Sequence, residues 1–264
     1  MSQQDKEEFY IGYLDQAPEG VGRFVKLRVG LMLLLAVLVA GLLTAAQSPF
    51  AIAFFDFGAP KAYEGIVRLV PHPVLEVERP GVVAAGEAKT SRYLLVGFGK
   101  AGADAEIDGL VDQRVRLEGT PIYRDGQTML EIVPGSVAAA DIVSNTTGSN
   151  LVAPPAESGV SLGDYTFEGE IVDSKCHLGV MKPGETKPHR ACATLCIRGG
   201  IPPLLLVRGD DPPAAQLLLV GQGGEAINDA VLDYVAEPVS IRGELVRMGD
   251  LYLLRADPST IRRL

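Results

Sequence analysis

Six residues of types that bind soft metals or act as nucleophiles fall in one short stretch, DSKCHLGVMKPGETKPHRACATLCIRGG. They are Cys176, His177, Met181, His189, Cys192 and Cys196. All three cysteines of the 264-residue chain are there, with two of its three histidines. Three chemistries fit. Thiolate, imidazole and thioether are the ligands that select copper, and a Cys3His set suits zinc. In that case His189, Cys192 and Cys196 lie along one or two helical turns, and Cys176 or His177 completes the set. The second chemistry is a disulfide. Pairing Cys176 with Cys192 or Cys196 closes a loop of about 15 residues, worth roughly 3 kcal/mol in the chain-entropy model. Two cysteines one helical turn apart fit disulfide geometry poorly, so Cys192 with Cys196 is the weaker pair. The third is thiol nucleophilicity, with His189 and Arg190 beside a cysteine and Asp173 available to orient a histidine. No known protease nucleophile signature accompanies these residues. The expectation is therefore a non-catalytic role, with a thiol oxidoreductase or hydrolase, or a purely structural assembly factor with a disulfide-stapled loop, as the alternatives.

The residues between the ligands say how they are positioned. Lys182-Pro183-Gly184-Glu185 is a turn signal that folds Cys176-His177 back toward His189 and Cys192. Residues 190–197 read as a short helix with Cys192 and Cys196 at i and i+4 on one face. Gly199-Gly200-Ile201-Pro202-Pro203 ends that helix and leads into a strand at residues 204–207.

The stretch sits inside the second copy of an internal repeat. Tyr63-Glu64-Gly65 matches Phe167-Glu168-Gly169, Leu94-Leu95-Val96-Gly97 matches Leu218-Leu219-Val220-Gly221, and Val115-Arg116-Leu117-Glu118-Gly119 matches Val239-Ser240-Ile241-Arg242-Gly243. The first match is offset by 104 residues and the other two by 124, so the second copy carries 20 extra residues between its first strand and its LLVG strand. The Cys/His stretch lies in that interval. The first copy has Arg68-Leu69-Val70-Pro71-His72-Pro73 there and reads as scaffold, with His72 structural. Val115/Leu117 and Val239/Ile241 alternate with period two, as half-buried strands do. Residues 106–112 and 230–235 are the helical candidates. Gly97-x-Gly99 and Gly221-x-Gly223 lack dinucleotide spacing and read as structural turns.

A separate apolar segment precedes the repeat. Residues 29–55 carry no charge, and a bilayer crossing needs about 20 apolar residues. Arg23, Lys26 and Arg28 flank its N-terminal side, so the positive-inside rule puts the N-terminus in the cytoplasm and the repeats outside. That compartment is oxidising, and three cysteines cannot all pair within one chain. A net charge of -9 without a basic stripe argues against nucleic acid as a partner.

Five short strands with a helical turn between the third and fourth is the order of an OB-type barrel. A different small sandwich or barrel is the alternative. The fold expected is mainly β: one N-terminal transmembrane helix followed by two tandem small OB-like β-barrels. The boundaries are a cytoplasmic segment at 1–27, an anchor at 28–55, a first barrel at 60–137, a linker at 138–164, and a second barrel with the Cys/His insertion at 165–264. The motif EG…LLVG…Vx[LI]xG resembles bacterial extracytoplasmic OB-like domains. The pattern DSxC…HxxCAxxCIxGGxPP resembles that of poorly characterised exported bacterial proteins and implies an envelope setting. Cys192-x3-Cys196 with a nearby histidine is similar to the copper sites of cytochrome oxidase chaperones. Adding His177 and Met181 resembles the copper centre of oxidase subunit II, although Ile197-Arg198-Gly199-Gly200 replaces the histidine and methionine that follow there. These resemblances imply an accessory protein of an envelope redox or respiratory system, anchored in the cytoplasmic membrane beside protein partners and holding copper or zinc.

Overall fold

A computed structural model describes residues 19–46, 53–78, 90–140, 159–210 and 213–264. Its first element is α1 (Glu19–Ala46), a helix of 28 residues and so about 42 Å long. None of its residues is buried, and it is long and apolar enough to cross the ~30 Å core of a bilayer. The helix starts at Glu19, ahead of the boundary expected at residue 28, and carries Arg23, Lys26 and Arg28 in its first turns. Residues 47–52 of the expected anchor lie outside the described residues, and Phe54–Phe55 form a short strand, β1, rather than helix.

The first copy of the repeat builds β2 (Lys61–Val70), β3 (His72–Glu78), β4 (Thr90–Val96), β5 (Arg114–Arg124) and β6 (Gln127–Ile132). Around the sheet the order is β5-β2-β3-β4-β6, and β6 pairs back onto β5 and closes the barrel. The pair β4 and β6 is parallel, and the other pairs in the ring are antiparallel. β1 and the short β7 (Ala138–Ala139) add to β5. The second copy repeats this with β8 (Val160–Asp173), β9 (Pro203–Asp210), β10 (Pro213–Val220), β11 (Pro238–Met248) and β12 (Leu251–Ala256), again closed by β11 with β12. A last short strand, β13 (Arg262–Arg263), pairs with β11. The register is conserved between copies: Leu94 stands opposite Val74 and Met129, and Leu218 stands opposite Leu204 and Leu253. Both barrels are OB-like. The ends of the expected linker, at Ala138–Ala139 and from Val160 on, belong to strands, and residues 141–158 lie outside the described residues.

The helical expectation differs between copies. In the second, α3 (Asn228–Val231) continues into a tight turn at Leu232–Tyr234. In the first, residues 103–113 form successive turns, closed by Ile107 N on Ala103 O at 3.2 Å and Gln113 N on Leu110 O at 3.1 Å. Gly109 (φ 71°) and Asp112 (φ 62°) adopt left-handed backbone there, which a continuous right-handed helix excludes.

The uninterrupted LLV runs are explained by burial on both faces of one strand. Leu95 points into the first barrel's core with Val67, Leu75, Val115 and Leu117. Its neighbours Leu94 and Val96 point outward and meet Leu204, Leu218, Val220 and Leu253 of the second barrel, whose Leu217 and Leu219 face their own core. The two barrels therefore press equivalent strand faces together. Leu94 and Leu218, Val96 and Val220, and Met129 and Leu253 occupy matching places in one apolar cluster, the pattern of an interface related by a two-fold axis. Cys176 and Cys196 belong to this shared cluster.

Candidate functional site

The insertion occupies residues 174–202, between β8 and β9. The matching connection in the first barrel, between β2 and β3, is Pro71 alone. The 20-residue offset in the sequence is thus a net figure, because β3 and β4 are linked by residues 79–89 while β9 and β10 are linked by 211–212.

β8 ends at the fully buried Asp173. Its Oδ1 accepts the backbone N–H of Cys176 at 2.8 Å, capping the turn that follows as an aspartate caps a helix. That turn, Cys176–Val180, is a wide one, with Met181 N on Cys176 O at 3.3 Å. Such wide turns recur at functional sites. The Pro-Gly turn then brings the chain back as its sequence requires. Gly184 lies against the backbone of Cys176, where a Cβ would stand 2.4 Å from Cys176 O. A short turn at Lys187–His189 leads into α2 (Arg190–Arg198). Ala193 and Ile197 on one face of α2 enter the second barrel's core, while Cys196 and the half-buried Cys192 join the cluster between the barrels.

The three sulfurs of Cys176, Cys192 and Cys196 lie within 4.8 Å of one another. All three cysteines are free thiols, with none of the disulfide pairings that the sequence allows. A second group shares Cys176: its sulfur, a carboxylate oxygen of Asp173 and a ring nitrogen of His189 also lie within 4.8 Å of one another. His189 Nε2 is 3.0 Å from Asp173 Oδ2, and both side chains are buried. His189 therefore groups with Asp173 and Cys176, and the cluster is not a single Cys3His set. The other two sequence candidates have different surroundings. His177 is buried with Nδ1 3.6 Å from Glu185 Oε2, and its carbonyl accepts from Arg124 Nη1 at 2.9 Å. Met181 is exposed at the end of the wide turn.

The chain matches no family model. No curated protein and no solved structure is significantly similar to it either. The chemistry therefore rests on the residues themselves.

The first barrel, expected to be scaffold, completes the site. Its loop Gly97-Phe98-Gly99-Lys100 docks on the end of α2, where Gly102 N donates to Gly199 O at 2.7 Å. A side chain at Gly199 would collide with the Lys100 carbonyl, its Cβ only 1.9 Å away. This docking delivers Lys100, whose Nζ is 2.7 Å from Cys192 Sγ and 3.6 Å from Cys196 Sγ. In return Lys175, 2% exposed, crosses into the loop and donates to Gly97 O at 2.8 Å and Gly99 O at 2.7 Å. It also pairs with Glu131 of β6. The two lysines are the functional residues that sequence reasoning passed over. The only signal was the glycine pattern around Lys100, which marks a loop that another backbone approaches closely.

Charge is distributed unevenly over the sulfurs. Cys196 is held low, at about 7, first by a hydrogen bond from Cys176 and further by the Lys100 ammonium and Cys192. Cys176 is pushed up by that same hydrogen bond, by burial and by the Asp173 carboxylate. The proton thus stays on Cys176, and negative charge collects at Cys196 where Lys100 stands. Contact with Cys192 in turn raises the Lys100 pKa.

Proposed function

We propose that this is a membrane-anchored, extracytoplasmic accessory protein of an envelope redox or respiratory system that holds a soft metal ion on Cys176, Cys192 and Cys196. The mutual approach of three free thiols, brought from a turn and a helix into one buried cluster, carries this reading. Three sulfurs each about 2.3 Å from one ion stand roughly 4 Å apart, so closing the cluster on a metal takes movements of about 1 Å or less. Thiolate ligation selects copper(I) or zinc over hard cations. α1 and the basic residues in its first turns support the anchor and a cytoplasmic N-terminus. The motif-level resemblance to exported bacterial proteins fits the same setting.

A second reading, a redox-sensitive thiol pair, is favoured by Lys100 beside Cys192, since a neighbouring cation promotes the reactive thiolate. Elemental analysis of the detergent-solubilised full chain, with thiol counting before and after reduction, separates the two. Stoichiometric copper or zinc that is lost on Cys192→Ser supports the metal site. A protein with one disulfide and no metal sinks it and leaves the redox reading. Protease accessibility of the C-terminal barrel in spheroplasts tests the topology: cleavage in intact spheroplasts is expected, and protection there contradicts an extracytoplasmic location.

A further inference from the structure

Two ligand groups meet at one sulfur. Cys176 belongs both to the three-sulfur set and to the set it forms with Asp173 and His189. The second set is as buried as the first, with exposures of 0% for Asp173 and 4% for Cys176 and for His189. His189 and Asp173 are hydrogen-bonded to each other, and their spacing also suits two ligands on one ion that would replace that bond. A nitrogen and an oxygen each about 2.0–2.2 Å from a metal stand roughly 3.0–3.5 Å apart when they occupy adjacent coordination positions. His189 Nε2 and Asp173 Oδ2 are 3.0 Å apart. The donors also differ in kind. Three thiolates form a soft site, whereas a carboxylate, an imidazole and a thiolate form a borderline one.

We propose that the insertion holds two metal ions bridged by the Cys176 thiolate, copper(I) on Cys176, Cys192 and Cys196, and zinc(II) on Asp173, Cys176 and His189. This rests on the three-sulfur metal reading and adds a second ion to it. Charge supports the pair. Once deprotonated by metal binding, the three thiolates and the Asp173 carboxylate would carry four negative charges, against which Lys100 sets one positive charge at Cys192 and Cys196. Buried charge of that size needs compensation, which two cations provide. The fold supports it as well. The capping bond from Cys176 N to Asp173 Oδ1 fixes the buried carboxylate beside Cys176. The α2 helix fixes Cys192 and Cys196 relative to each other. Neither His177 nor Met181 takes part.

The test is an anaerobic titration of the reduced full-length protein in detergent with copper(I) and zinc(II), followed by desalting and elemental analysis. Wild type is expected to retain about one copper and one zinc per chain. His189→Ala should lose the zinc and keep the copper, Cys192→Ser should lose the copper and keep the zinc, and Cys176→Ser should weaken both at least tenfold. Cobalt(II) in place of zinc reports sharing without a substitution. Its thiolate charge-transfer band should move when copper(I) is added, because Cys176 then serves two ions. Retention of copper alone in wild type, or zinc binding unaffected by His189→Ala, overturns the second ion and leaves the three-sulfur site standing. A cobalt band indifferent to copper overturns the bridge. Failure of wild type to retain either metal contradicts the three-sulfur reading itself, whereas zinc retained alone and lost on Cys192→Ser overturns only the two-ion assignment.

Discussion

Between its first two strands the first barrel needs only Pro71, whereas the second carries residues 174–202. Elsewhere the two keep one strand order, one register and one contact face. What changes with the insertion is where polar chemistry is buried. In the first barrel Arg68 and Arg92, each 3% exposed, both pair with Glu76 at 3.1 and 2.8 Å, and Arg68 also reaches Asp112. The register places Val172, Leu206 and Gln216 at the matching positions of the second barrel. The second barrel gathers its buried polar groups at the end of β8 and in the insertion: Asp173, Ser174, Lys175, His177 and His189, with Glu170 of β8 accepting from Thr186 N of the insertion. One barrel uses ionic groups to fill its wall, and the other concentrates them at a ligand set. The plain barrel is still part of the site, because Lys100 and the carbonyls that hold Lys175 come from it.

That contrast can be broken first at Glu76. Glu76→Leu removes the carboxylate that two buried arginines share and should cost about 3–5 kcal/mol in urea denaturation. Grafting the second barrel's residues together, as R68V/E76L/R92Q, should recover most of that loss. Equal destabilisation by the single and triple variants would show that the wall depends on its charges rather than on filling space.

A somewhat smaller effect concerns His72. It takes the place of Pro202 in the second barrel and is 4% exposed. Burial lowers its pKa from 6.5 to about 4. Between these values the unfolded chain binds a proton that the folded one does not. Stability from this group is therefore complete above pH 6.5 and falls by about 3 kcal/mol as the pH drops toward 4. His72→Leu should flatten this part of the pH profile. A profile unchanged by the substitution would place the pH dependence elsewhere.

The smallest effect on stability belongs to Lys100, an exposed side chain. Lys100→Met should change stability by less than ~1 kcal/mol. It should nevertheless raise the Cys196 midpoint above about 7 in ultraviolet thiolate titration of the metal-free protein. An unmoved midpoint would remove the first barrel from the site's electrostatics.

Much of this was legible in local pattern. The repeat matches fall on paired strands, period-two alternation marks Val115/Leu117 and Val239/Ile241 as core, and the i, i+4 spacing puts Cys192 and Cys196 together on α2. Contacts set by docking one barrel on the other were not legible. Nothing near Cys192 in the sequence points to Lys100, 92 residues away, and Lys175 reaches Gly97 across 78. Chain proximity also does not say where His177 and Met181 turn. The wide turn after Cys176 sends the first toward Glu185 and leaves the second in solvent. Asp173 was legible only as an available orienting group, because its position as the last residue of β8 appears only once the strand's end is fixed.

The most direct test of the inserted segment as a metal centre is X-ray absorption at the edge of the metal retained by the full-length protein. A first shell of about three sulfur scatterers at about 2.3 Å is expected, with that sulfur-rich signal lost on Cys192→Ser. A first shell of nitrogen and oxygen alone for every retained metal, or a three-sulfur shell that persists in Cys192→Ser, would contradict it.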